Sequence, residues 1–392
     1  MVCFAWLLCG CPGTSQTQAR LDMEHPDEPA PDFALAADLA ADTVGDTAGD
    51  TATTQRPLDP FETLFAAHFV PHDSAAKVAT LQPSAVGIHC VAAALAIQRA
   101  RGGAAFDPAF VTSLELALTL TADRLVATAP SFTGGWGEGE ARDWFSDGTT
   151  NPATTADGYN TGYATWCLSE AAVATDDPAR STTYRNLAAS RLAAYRTTGF
   201  AGPTDATQHC SDCGYFWYTP HKNDKGRYVK NINVLMGLAS LVFDAHGHDA
   251  ATELAGQQSV RSHSREIGAD GDKNLNYLST LDPQYDPAQQ TLNTHNYIEA
   301  YAMLRAGELR HSATYVCRAL RQYRAWSNKL ATGAQETQVA YASCHFARRD
   351  AAAFTRCKAW VASGHGLTNL GGVGLLADYW PEDTRTAAAM CP

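Results

Sequence analysis

From about residue 60 onward, apolar residues recur with helical spacing, and few stretches alternate as a half-buried strand would. The helical runs come in pairs. Residues 84–101 predict a buried helix that enters behind Pro83 and stops at Gly102-Gly103. Residues 107–127 predict its partner, with Asp107-Pro108 as cap and first position. Further pairs are expected at 157–175 with 178–198, at 229–246 with 249–267, at 294–309 with 312–329, and at 336–348 with 350–363. The rhythm of helix, short turn, helix and long loop thus recurs five times, and the terminal segments offer a sixth pair.

Within a pair the first helix is the more apolar and the second the richer in Arg and Gln. NINVLMGLASLVF against ATELAGQQSVRSHSRE shows the contrast. That asymmetry predicts two concentric layers, inner helices buried on all sides and outer ones half solvated. The fold expected is therefore all-α, an α/α toroid of five or six helical hairpins. An open superhelix of repeats would have shorter and more uniform loops. In a toroid the long loops gather where the inner helices begin.

Residues 12–57 change the picture at the N-terminal side. They hold nine acids against two arginines, so most of the formal charge of -12 lies there and the body is only mildly acidic. Rich in Asp, Ala, Thr and Pro, this stretch has too little apolar area to offset its ordering entropy and is expected to be a disordered linker. The charge argues against a nucleic-acid surface, which needs clustered Lys and Arg. Residues 1–11, MVCFAWLLCGC, are apolar but too short to span a bilayer and read as the end of an export signal. Leu8-Cys9-Gly10-Cys11 resembles the lipobox of bacterial lipoproteins. That resemblance implies Cys11 as the lipid-modified first residue of the mature chain, and a cell-envelope location with no membrane contact beyond the anchor. The folded domain is then expected over 58–392, as a monomer.

Eight cysteines remain after Cys3, Cys9 and Cys11: Cys90, Cys167, Cys210, Cys213, Cys317, Cys344, Cys357 and Cys391. An even number in an exported chain predicts disulfides, with connectivity left open. Cys210-x-x-Cys213 lies between His209 and His221, but no second close pair completes a zinc knuckle. A local disulfide, or two bridges to helices, is the expectation, and no metal or cofactor is. No phosphate loop or nucleotide-binding pattern is present.

The long loops and the starts of the inner helices hold the candidate chemistry. Trp136, Asn160, Tyr215, Trp217, Asn231 and Asn233 offer ring faces for sugar planes and amides for hydroxyls. Glu138 lies between two glycines beside Trp136, and Glu299 falls in the first turn of a later inner helix. A glycosidase needs two carboxyls about 5–9 Å apart across the scissile bond, so these two form the acid–base pair of a hydrolytic reading.

The segment GYFWYTPHKNDKGRYVKNINVLMGLA, at residues 214–239, resembles a stretch of six-hairpin α/α-toroid carbohydrate enzymes of the bacterial α-1,6-mannanase type. Gly214, Trp217, Tyr228, Lys230, Asn231 and Asn233 match, with Val229 inserted, over about forty residues including the following hairpin. The resemblance implies the toroid and a polysaccharide or oligosaccharide ligand. In that family adjacent aspartates begin an inner helix and form the catalytic pair. The corresponding helix here begins ADGYNTGYATW, with Asp157 alone, and its mechanism does not carry over. Asp176-Asp177 is an acidic pair, but its place before Pro178 marks a helix cap. α/α-Toroid polysaccharide lyases use Tyr or His to take a proton beside a uronate, which makes Tyr163 and His295 the candidates of an eliminative reading. The expected function is an exported, lipid-anchored polysaccharide-binding protein, degrading its ligand in the hydrolase or lyase version. The alternative is a non-catalytic surface lipoprotein that uses the toroid as a binding or structural module.

Overall fold

The computed structural model describes residues 75–102, 106–203, 210–247, 249–288, 295–330, 336–347, 349–362 and 391. At 295, 330, 336–338, 341, 361 and 362 it describes the backbone alone. The chain divides at Pro57/Leu58 into two units, and every described residue belongs to the second, Leu58–Pro392. The expected signal, Cys11 and the acidic linker lie outside the described residues.

The domain is all-α. After the single turn α1 (Ala75–Val78), four helical hairpins follow. They are α2 (Pro83–Arg101) with α3 (Pro108–Thr128), α4 (Gly158–Ala174) with α5 (Pro178–Gly199), α6 (Lys230–Gly247) with α7 (Ala250–Ile267), and α8 (His295–Leu309) with α9 (Ala313–Leu330). A shorter pair, α10 (Glu336–Ser343) and α11 (Ala351–Ala362), is joined through the 3-10 turn Cys344–Phe346. The only strands among the described residues are β1 (Phe200–Ala201) and β2 (Tyr215–Phe216), which pair antiparallel with Phe200 opposite Phe216.

Caps set the starts. Asp107, Asp157, Asp177 and Asp249 each accept from a backbone N–H of the first turn that follows, and Pro83, Pro108 and Pro178 occupy first positions where a missing N–H costs nothing. The Asp177 cap is the role expected of that acidic pair. The expected run over 336–348 ends early. Cys344, bonded to Cys357, lies in the 3-10 turn, and Asp350 then caps α11 through Ala353 N at 2.8 Å.

The first helices of the pairs form an inner row in which α2 packs on α4, α4 on α6 and α6 on α8, each with its own second helix behind it. Burial separates the two kinds. In α4, 15 of 17 residues are buried, whereas α5 buries 5 of its 22, the single stripe Tyr184, Ala188, Leu192, Tyr195 and Gly199. A helix buried all round must hide its polar side chains. Thr165 and Ser169 do so by donating to carbonyls one turn back, both at 2.7 Å. Short connections close each of the four hairpins, and the long ones, 129–157, 200–229 and 268–294, lead into α4, α6 and α8.

Disulfides tie these parts. Cys90–Cys167 joins α2 to α4, Cys317–Cys391 fixes a C-terminal residue to α9, Cys344–Cys357 closes the last pair, and Cys210–Cys213 is local. Such bonds persist in oxidising compartments. Among the described residues no helix is long and apolar enough to cross a membrane.

The α2–α4 contact is close enough to need glycine. A Cβ on Gly87 would meet the Tyr163 carbonyl carbon at 2.7 Å and its oxygen at 2.8 Å. Alanine gains about 1 kcal/mol of helix propensity over glycine, so net destabilisation would isolate the clash. Gly87→Ala is expected to cost roughly 1–2 kcal/mol net, read as a lower urea midpoint with disulfides intact. A more stable variant would contradict this packing.

Candidate functional site

Polar groups at the starts of the inner helices collect in two clusters. The first joins the loop after α3 to the starts of α2 and α4. Trp136 anchors that loop. Its Nε1 donates to Leu125 O at 3.0 Å, its backbone N to Thr161 Oγ1 at 3.0 Å, and its carbonyl accepts from Asp157 N at 2.9 Å. The ring is wholly buried under the Arg191 guanidinium. Asn160 spends its whole amide within the fold, with Oδ1 accepting from Ser84 N and Nδ2 donating to Asp157 Oδ2, both at 2.8 Å. Tyr163 is core, edge-on to Tyr159 and stacked on Trp166.

Glu138 is held by Arg142 at 2.6 Å and lies on the wall of a cavity of about 440 Å³. Gln82, Pro83, Arg124, Ser131, Phe132 and Glu140 share that wall. Behind it is Asp157, the cap of α4. Burial pushes its carboxyl up to about 7, and the Glu138 charge pushes in the same direction. Glu138 is thus salt-bridged to Arg142, while the buried Asp157 carboxyl holds its proton more tightly than an exposed one would.

The second cluster surrounds the starts of α6 and α8. Lys230 Nζ donates to Asn274 O at 2.6 Å and lies 3.4 Å from Glu299 Oε2, both side chains fully buried. Glu299 also accepts from Gln322 Nε2 at 2.9 Å and from Asn296 Nδ2 at 3.3 Å. His263 Nε2 lies 3.0 Å from Gln322 Oε1, so the proton is assigned to that nitrogen. Burial and Lys230 push His263 down to about 3, and the imidazole is neutral. Burial raises the Glu299 carboxyl, while Lys230 opposes the shift. Tyr215 is held well above its ordinary value, first by burial and then by the Glu266 and Glu299 charges, so its phenol stays protonated.

The aromatic loop covers this cluster rather than opening onto it. Tyr215, Trp217, Tyr228 and Ala201 form one buried group, with Tyr215 edge-on to Tyr228 and the Lys225 ammonium 5.1 Å from the Trp217 ring. Asn233 accepts from Phe216 N at 3.0 Å and donates to Ser259 O at 3.2 Å, which pins β2 between α6 and α7. Asn231 is buried beside it.

No protein-family model matches this chain, and no curated protein does. Its function has to be argued from these side chains.

The structure thus places Trp136, Asn160, Tyr163, Tyr215, Trp217, Asn231, Asn233 and Glu299 in buried positions and Glu138 on a cavity wall. Trp136, Glu138 and Asn160 share the first cluster; Tyr215, Asn233 and Glu299 share the second. Glu138 is engaged by Arg142 and Glu299 by Lys230, each within its own cluster. The backbone of His295 begins α8, and its side chain lies outside what is described. Sequence reasoning missed His263 and Gln322, because both sit on second helices whose polar residues read as solvent-facing. Lys230 carried a signal, since it directly precedes the paired asparagines of α6.

The Asp157 shift has a thermodynamic consequence. Its folded pKa of about 7 exceeds the ordinary value of 3.8, so the folded state keeps a proton that the unfolded chain has released. The associated stability is full below about pH 4 and is lost as pH rises through about 7. Asp157→Asn keeps a capping side chain without the charge. The stability of this variant relative to wild type is expected to climb from pH 4 to pH 8 in urea titrations. A pH-independent difference would mean that Asp157 is ionised throughout.

Proposed function

We propose that this is an exported, lipid-anchored glycan-binding protein whose ligand enters the cavity walled by Glu138. The domain is read as an α/α toroid of the six-hairpin kind, supported by the inner row α2–α4–α6–α8 and by loops that enter at the starts of its helices. The observation that carries the reading is the lining of the cavity: two carboxylates, a guanidinium, hydroxyls from Thr128 and Ser131, and the partly exposed ring of Phe132. Carboxylates and hydroxyls suit sugar hydroxyls, and an aromatic face suits a sugar plane. A volume of about 440 Å³ falls within the range of small-molecule sites, roughly 300–1,000 Å³. Export is supported by the four disulfides and by the Leu8–Cys11 motif, with residues 12–57 as the tether to an anchor at Cys11.

Binding without turnover is the version favoured. Glu138 and Glu140 are neighbours on one strand of loop, and a glycosidase needs its carboxyls on opposite sides of the bond it breaks. One observation favours hydrolysis as a second reading. Glu138 lies close enough to Asp157 for its charge to help raise that buried carboxyl, which brings two carboxyls together beside the cavity.

The two readings separate in one experiment. Wild type, Glu138→Gln and Phe132→Ala are titrated calorimetrically with a panel of mannan, glucan and uronate oligosaccharides, and reducing ends are assayed in parallel. The binding reading expects wild type to bind at least one class without releasing reducing ends, and both variants to bind at least tenfold more weakly, about 1.4 kcal/mol. Turnover abolished in Glu138→Gln would install the hydrolase. Failure of wild type to bind any of the panel would overturn both.

A further inference from the structure

Beyond the Glu138 cavity, residues 142–151 form a loop closed at its neck by Arg142 N to Asn151 O at 3.0 Å and Asn151 N to Arg142 O at 2.8 Å. The 3-10 turn Lys222–Asp224 packs against it, with Asn223 Nδ2 donating to Thr150 O at 3.2 Å. Where the two meet, the Asn151 amide donates to Asp224 Oδ2. Asp224 is 1% exposed and Asn151 is wholly buried, yet among the described residues Asp224 Oδ1 and Asn151 Oδ1 both lack a hydrogen-bond donor. Two buried acceptors without donors, on side chains bonded to each other, are costly unless something electropositive meets them.

The surrounding charge points the same way. Asp147 and Asp143 lie near enough to add negative charge at Asp224, whose one side-chain hydrogen bond among the described residues comes from a neutral amide. Arg227 offsets part of that charge, but its Nε and Nη2 are engaged by Asp282 and Gln284, and its guanidinium lies 3.6 Å from the centre of the Phe145 ring. The Asp143 carboxylate accepts from Asp147 N and Gly148 N, and Asp147 accepts from Thr149, which sets the curvature of the loop. The carboxylates and the amide named here all offer oxygen, which favours a hard cation that tolerates irregular coordination.

We propose that Asp224 and Asn151 ligate a calcium ion held between this loop and the 222–224 turn, with Asp143 and Asp147 supplying further negative charge. Two side-chain ligands leave the rest of the shell to carbonyls and water. The affinity therefore falls in the weak range of extracellular modules, on the order of 0.1–1 mM. The ion stitches the loop to the turn at the outer end of the segment that bears Glu138, and its binding does not depend on any glycan.

The test is calorimetric titration of the full oxidised chain, stripped with EGTA, with calcium chloride and then with magnesium chloride. One calcium ion per chain is expected, with magnesium bound more weakly because it demands a tighter octahedral shell. Asp224→Asn is expected to weaken calcium at least tenfold, and Asp147→Asn, on the exposed rim, a few-fold. No saturable uptake by wild type up to roughly 10 mM, above the range of extracellular sites, overturns the proposal. So does an Asp224→Asn protein with native circular dichroism and undiminished affinity. Should that variant fail to fold, Asn151→Ala and Asp147→Asn decide, and unchanged affinity in both overturns it.

Discussion

An inner helix buried along its whole length has no solvent in which to satisfy the free N–H groups of its first turn, and this constraint decides most of what is found at the loop-bearing end. In α4 the answer is Asp157, which accepts from Asn160 N, while the Asn160 amide reaches across to Ser84 N and supplies the same service to α2. One side chain thereby fixes two helix starts against each other. In α6 the Lys230 N–H donates to Tyr277 O at 2.9 Å, while the Asn233 amide accepts from Phe216 N and holds β2 over the helix start. The start of α8 is tied to α6 through Lys230 and Glu299, a buried pair whose desolvation is offset by Asn274 O, Gln322 and Asn296.

This explains why residues with the chemistry of a sugar site are spent inside the fold. An aromatic face and an amide serve equally well to stack a sugar and to close a loop over a polar helix start. Trp136, Tyr215, Trp217, Asn160 and Asn233 do the second. What remains at a cavity is a smaller set, Glu138, Glu140, Phe132 and Arg124, held by the loop that Trp136 anchors.

Legibility in the sequence follows the range of the interaction. The start of α2, expected at 84 and found at Pro83, and that of α7, expected at 249 and found at Ala250, were readable because proline and aspartate act on their immediate neighbours. Of the two arrangements open for Cys210 and Cys213, a local disulfide or two bridges to helices, the local one is found. Glu138 stood out because glycines on both sides leave a carboxylate little to pack against. Partnerships across the chain were not readable. Glu299 meets Lys230 from a different hairpin, and Asn151 meets Asp224 across more than seventy residues. The pairing of Glu138 with Glu299 had no such local signal, since placing one on a loop and the other at a helix start says nothing about which neighbour neutralises each.

The loop between α3 and α4 is therefore held at both ends of its functional part. Trp136 fixes one side through Leu125 O and Thr161, and the Arg142–Asn151 bridge fixes the other. Between them Arg142 also grips Glu138, so a carboxylate on a glycine-flanked loop is already oriented toward the cavity before any ligand arrives. Glycine on either side would otherwise make ordering this residue expensive on binding, and an arginine only four residues away removes that cost in advance. The same bridge brings Asn151 to Asp224, so whatever steadies that junction also steadies the carboxylate. A weak ligand such as a single sugar has little free energy to spend on ordering a loop, and a site for one is best built where the protein has ordered it already.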